Sequence, residues 1–129
     1  MTILLDTSVI IDVLRTRRGR HEFLVQRKHA GDTLACSAVN VAEVYAGMRP
    51  YEAAATEAFI ESLECIEVTQ KIARTAGSLK YVWERKGVTI DITDAIIAAT
   101  SLNFDLCLAT DNLRHFPMPD LKHLDLPTI

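Results

Sequence analysis

Four carboxylates, Asp6, Glu43, Asp94 and Asp111, fall where an apolar strand-like run ends or where a helix-like run begins. Asp6 closes Thr2-Ile3-Leu4-Leu5 and Asp111 closes Leu106-Cys107-Leu108-Ala109-Thr110, both of which read as short buried strands. Glu43 and Asp94 are expected inside the first turns of the two most apolar helical segments, Ser37 to Met48 and Asp91 to Ser101, where an unpaired charge is costly. Acids that converge without bases need a cation, so the chemistry implied is a hard-metal site on an α/β scaffold.

Each acid also has a purely structural reading. Asp6 itself, or Thr7 or Ser8 after it, can cap a helix starting near Val9, and the two hydroxyls would stand beside the carboxylate. Asn40 and Glu43 have capping-box spacing, although Glu43 shares its helix face with Val39, Ala46 and Gly47. Asp91 can cap the helix from Ile92, leaving Asp94 at the head of a face completed by Ile97, Ala98 and Ser101. Asp111 and Asn112 fit a strand-exit turn. Together at strand ends and helix starts, the four favour a pocket.

The elements that must position them alternate. Strand-like runs at about 2–6, 33–36, 65–68, 105–110 and 122–126 are separated by helical stretches at about 8–15, 20–30, 38–48, 51–63, 70–86 and 92–102. Such alternation means a parallel sheet with helices on its faces, where ligands bind beyond the carboxyl ends of the strands. With 129 residues, 49% of them hydrophobic, and no linker or repeat, residues 1–129 are expected to form a single domain. The apolar runs are short of a membrane span and no export leader is visible, so a cytoplasmic location is expected. Cys36, Cys65 and Cys107 lack metal or redox spacing and are expected as small core residues. The net charge of −3 becomes +1 if a metal neutralises the four acids, which leaves a polyanionic substrate admissible.

Four blocks carry a resemblance: Leu4-Leu5-Asp6-Thr7-Ser8-Val9-Ile10-Ile11-Asp12, Asn40-Val41-Ala42-Glu43-Val44-Tyr45-Ala46-Gly47, Asp91-Ile92-Thr93-Asp94-Ala95-Ile96-Ile97-Ala98-Ala99-Thr100, and Leu108-Ala109-Thr110-Asp111-Asn112-Leu113-Arg114-His115-Phe116. In their order and separation they resemble PIN-domain ribonucleases, and among these the VapC-type toxins of toxin–antitoxin pairs. The resemblance implies a PIN-like three-layer sandwich, Mg²⁺ or Mn²⁺ as cofactor, endonucleolytic cleavage of RNA, a small antitoxin partner and a homodimer. It gives Asp6, Glu43 and Asp94 the family's three most regular metal-binding positions. Asp111 binds the metal directly, through water or not at all, with Asn112 as the alternative; Thr7 and Ser8 support the site, and Asp12 is an outer-shell residue or charge partner.

No Ser/His/Asp order, Cys/His pairing or glycine-rich phosphate loop is recognisable, so the nucleophile is expected to be water. Arg15, Arg17, Arg18, Arg20, His21, Arg27, Lys28 and His29 form either a phosphate track or a solvated face, and Arg114 and His115 lie nearer the expected chemistry. In the segment 51–60, Tyr51 reads as partner-facing and Phe59 as core. A haloacid-dehalogenase-type phosphatase would want a second Asp where Ser8 stands, and a phospho-receiver domain an acidic pair and a later Lys. A catalytically silent PIN-like domain that binds only RNA or a partner is the remaining alternative.

Overall fold

The structure, a computed structural model, describes residues 1–127. Strand β1 (Thr2–Leu5) is apolar from Ile3 onward because both its faces are covered: Ile3 and Leu5 enter one core cluster and Leu4 the other. The same alternation runs through β2 (Thr33–Ser37), with Leu34 and Cys36 on one side and Ala35 on the other. It recurs in β4 (Cys107–Ala109), where Leu108 and Ala109 part to opposite cores. Together with β3 (Glu64–Ile66) and β5 (Lys122–His123) these form a five-stranded sheet of order β3-β2-β1-β4-β5, in which every pairing is parallel.

Helices cover both faces and make the expected three-layer α/β sandwich. On one side α1 (Thr7–Leu14), α2 (Arg20–His29), α3 (Ala38–Gly47) and α4 (Ala53–Glu61) contribute Val9, Ile10, Val13, Leu24, Val44, Phe59 and Ile60. On the other, α5 (Gln70–Arg85) and α6 (Ile92–Asn103) supply Ile72, Ala76, Ala95, Ile97, Ala98 and Ala99. Four of the five residues Ala95 to Ala99 are fully buried, which seats α6 in this core beside α5.

The expected elements shift in four places. Strand 105–110 shrinks to three residues, because Asp105 takes a left-handed φ of 53° and the Leu106 N–H donates to the Ser101 carbonyl, closing α6. Strand 65–68 moves to Glu64–Ile66, and strand 122–126 ends after His123 at the exposed edge. Helix 51–63 opens instead as a 3₁₀ turn at Pro50–Glu52, where the Glu52 carboxylate accepts from the Arg49 N–H at 2.8 Å. Cys36 and Cys107 are buried, but Cys65, on edge strand β3, is exposed and is not a core residue. Among the described residues no helix is long and apolar enough to cross a membrane.

Candidate functional site

The chain leaves β1 toward β2 and β3 on one side and reaches β4 and β5 on the other, so the β1/β4 seam is the point where strand order reverses. Asp6 sits on that seam, where its N–H extends the ladder to the Ala109 carbonyl at 2.9 Å. One carboxylate oxygen accepts from the Thr7 N–H (2.9 Å) and the other from the Thr110 hydroxyl (2.7 Å). Asp6 is therefore itself the cap of α1, the Asp alternative of the structural reading rather than Thr7 or Ser8. The Thr7 hydroxyl instead donates to Glu43 Oε1 at 2.7 Å and accepts from Asn40 Nδ2 at 3.0 Å. Ser8 Oγ is buried without a partner.

Glu43 is not a capping residue. The box at the start of α3 is built from Ser37 and Asn40: Ser37 Oγ accepts from the Val39 N–H, and Asn40 Oδ1 accepts from the Ser37 N–H at 2.8 Å. That places Glu43 in the second turn of α3 rather than the first, with its carboxylate gripped by a hydroxyl from α1. Asp91 does stand at the cap position of α6, but its side chain makes no cap hydrogen bond. Asp94, in the first turn, has one carboxylate oxygen 3.3 Å from His115 Nδ1.

Electrostatics joins these acids into one pocket. Burial raises the Asp6 carboxyl above its ordinary value; the Thr110 and Thr7 bonds and His115 oppose the rise, and the Asp111 charge adds to it. Asp94 is pushed up to about 6, first by burial and then by the charge of Asp6, with Asp91 and Glu43 adding repulsion against the relief from His115. Asp94 thus feels the charges of Asp6 and Glu43, although the three come from the β1–α1 junction, α3 and α6. The donors that hold Asp6 and Glu43 are neutral hydroxyls and an amide, so their charge is left uncompensated. An all-carboxylate oxygen set with surplus negative charge fits a hard divalent cation. Among the described residues no three His, Cys, Asp or Glu side chains stand close enough to form a ready ligand set.

The fourth acid is engaged differently. Both Asp111 oxygens accept from the guanidinium of Arg20, at 2.7 and 3.3 Å, and Arg18 Nη1 lies 3.4 Å away. The Asn112 N–H donates to Thr110 Oγ1 at 3.0 Å, which steadies the hydroxyl that holds Asp6. Asp12, nearly buried, lies 3.9 Å from Arg18 Nε, as a charge partner would. The basic run divides: Arg15 pairs with Glu52 (3.2 Å), Arg27 with Asp32 (2.7 Å), and Arg20 is fully buried. Arg17, Arg18, His21, Lys28, His29 and Arg114 remain exposed. A cleft of about 470 Å³ between α1 and α4 is lined by Leu14, Arg15, Arg17, Arg49 and Tyr51 and by none of the four acids. Two residues that hold the acids lie outside the four-acid pattern. Thr110 carries a sequence signal, a hydroxyl at the strand exit beside Asp111, whereas Asn40 carries only that of a cap.

Residues 3–118 match the family model described as PIN domain. The chain is 38% identical to Ribonuclease VapC19 of Mycobacterium tuberculosis over 120 residues, covering 92% of this chain and 96% of the relative. It is 38% identical to Ribonuclease VapC10 of the same organism over 116 residues, covering 90% and 86%. Among solved structures it is similar to VapBC2 from Rickettsia felis bound to a promoter DNA fragment, with a TM-score of 0.85 and 23% identity over 96% of this chain and 98% of that one. At that identity the likeness bears on the fold alone.

Proposed function

The chain belongs to the PIN-domain family, in its VapC branch, and from that premise we propose that it is a divalent-metal-dependent endoribonuclease, the toxin of a toxin–antitoxin pair. The observation that carries this reading is the gathering of three acids from separate elements, Asp6 at the switch point of the sheet, Glu43 tied to the neighbouring Thr7 hydroxyl, and Asp94, whose carboxyl is raised by burial and by the charges of the other two. Asp6, Glu43 and Asp94 would hold Mg²⁺ or Mn²⁺, which when bound lowers the pKa of water and offsets charge on the leaving 3′ oxygen. Thr7 fixes the direction of the Glu43 carboxylate, and Thr110 with the Thr7 N–H does the same for Asp6. His115 Nδ1 lies 3.3 Å from an oxygen of Asp94. Attack by water requires no 2′-hydroxyl, so the cleaved RNA carries 5′-phosphate and 3′-hydroxyl ends.

The partner is a small antitoxin, a reading supported by the likeness of the chain to a solved toxin–antitoxin complex from Klebsiella pneumoniae. Its cationic side chain would neutralise the acids, and its apolar stretch would cover the ground around Tyr51, which is 79% exposed beside the α1/α4 cleft. Phe59 is excluded from that surface because it packs into the core. A homodimer completes the proposal.

The test is cleavage of total RNA with mapped ends, in Mg²⁺ and in EDTA, beside growth with and without the neighbouring small reading frame. Metal-dependent cleavage to 5′-phosphates, with growth arrest relieved by co-expression, is expected. Equal cleavage in EDTA overturns the metal assignment, and growth arrest that co-expression does not relieve overturns the toxin assignment.

A further inference from the structure

The loop between α1 and α2 carries three left-handed residues in four, Thr16 (φ 54°), Arg18 (φ 55°) and Gly19 (φ 64°). Two of these are not glycine, a conformation that persists only where the surroundings enforce it. The enforcement is visible. The Arg17 N–H donates to the Asp12 carbonyl at 2.8 Å, the Arg20 N–H donates to the Arg17 carbonyl at 3.1 Å, and the Arg20 side chain, 1% exposed, is locked onto Asp111. Arg20 Nε has no partner, so Asp111 is the counter-charge that keeps this buried cation tolerable.

Arg18 reaches the same carboxylate on quite different terms. Its contacts are long, 3.4 Å to Asp111 and 3.9 Å to Asp12, and its side chain is 53% exposed. One acid therefore holds a fixed arginine and a releasable one, next in sequence to the Thr110 that grips Asp6. Of the exposed arginines in this run, Arg17 has no acid placing it beside the pocket, whereas Arg18 has two.

We propose that Asp111 serves as the anchor of Arg20, and that Arg18 is a substrate-positioning residue that leaves Asp111 to take a phosphodiester oxygen of RNA. The planar guanidinium suits that exchange, since a phosphate offers the same paired acceptor geometry as the carboxylate it leaves. The proposal rests on the ribonuclease reading for its substrate and on the ion-pair geometry for everything else.

The experiment combines three measurements: anisotropy of a fluorescein-labelled single-stranded RNA in EDTA over a salt series, calorimetric titration with Mn²⁺, and thermal melting. Arg18→Ala is expected to bind RNA about fivefold more weakly, with a salt slope smaller by about 0.7, and to melt with the wild type. Arg18→Lys should recover the slope but only part of the affinity. Asp111→Asn should keep Mn²⁺ affinity within about twofold while melting several degrees lower, because Arg20 is stranded. If that variant does not fold, the pair Arg20→Met with Asp111→Asn removes both charges, and its Mn²⁺ affinity gives the same answer. Unchanged RNA affinity and slope in Arg18→Ala overturns the positioning role. Loss of Mn²⁺ binding in Asp111→Asn equal to that in Asp6→Asn overturns the anchor role. Should the wild type itself bind no RNA, the ribonuclease reading falls, while the melting and Mn²⁺ results on Asp111 still decide its role.

Discussion

Asp32 and the pair Asp6 and Asp94 occupy opposite ends of one sheet and have opposite surroundings. Asp32, just ahead of β2 at the amino end, accepts from the Met1 ammonium at 2.9 Å and pairs with Arg27 at 2.7 Å. The hydrogen bond from the ammonium, helped by Arg27, holds its carboxyl below the ordinary 3.8. Asp6 and Asp94, at the carboxyl end, are raised, in both cases first by burial. The difference separates two uses of one residue type. Asp32, which ties the fold together, is supplied with cations by the chain, whereas Asp6 is given neutral hydroxyl and amide donors and Asp94 a single imidazole at 3.3 Å, too little to offset the burial that raises both.

The sharpest break in that comparison is catalytic. Asp6→Asn, Glu43→Gln and Asp94→Asn should each lower metal-dependent RNA cleavage by about 10²-fold or more, while Asp32→Asn stays within about twofold of wild type. Initial rates on one RNA substrate measure both arms, and equal losses at the two ends would erase the distinction.

Next in size is the neutral scaffold of the acidic end. Thr7→Val leaves buried Asn40 Nδ2 and Glu43 Oε1 without their shared hydroxyl and should cost about 1–3 kcal/mol in urea unfolding. Thr7→Ser, which keeps the hydroxyl, should recover most of it.

Smaller again is a stability gain. Since the Asp94 carboxyl rises from 3.8 to about 6 on folding, the folded protein takes up a proton, and stability of the metal-free protein falls as pH rises through that interval. Discounted for a partly exposed side chain and for the favourable helix start it occupies, Asp94→Asn in EDTA at pH 7 should gain about 1 kcal/mol, or roughly 4 °C. The gain should vanish below about pH 4, where both states are protonated. Saturating Mn²⁺ should reverse the order, because binding at about 100 times Kd stabilises the wild type by about 2.7 kcal/mol. A lower melting temperature for the variant in EDTA would return Asp94 to a helix-start role.

Smallest is the amino end. Asp32→Asn should melt about 1–3 °C lower at pH 7. Because the Asp32 carboxyl is lowered on folding, its contribution is present above 3.8 and is lost as pH falls below that value, so the two melting curves should converge in acid.

Much of this arrangement is local and could be read without coordinates. The alternation of apolar runs that makes β1 a two-faced buried strand, the order of strands and helices, and the position of Asp6 at a strand end and of Asp94 in a first helical turn all follow from side-chain periodicity and capping, which act over a few residues. What decides the chemistry is set at long range. Thr7 meets Glu43 across 36 positions, Arg20 meets Asp111 across 91, and Thr110 meets Asp6 across 104. No periodicity encodes such pairs, since they exist only once β4 is laid beside β1. The packing that makes them also sets the burial that raises Asp6 and Asp94, and it turns Asp111, alike in sequence, toward an arginine.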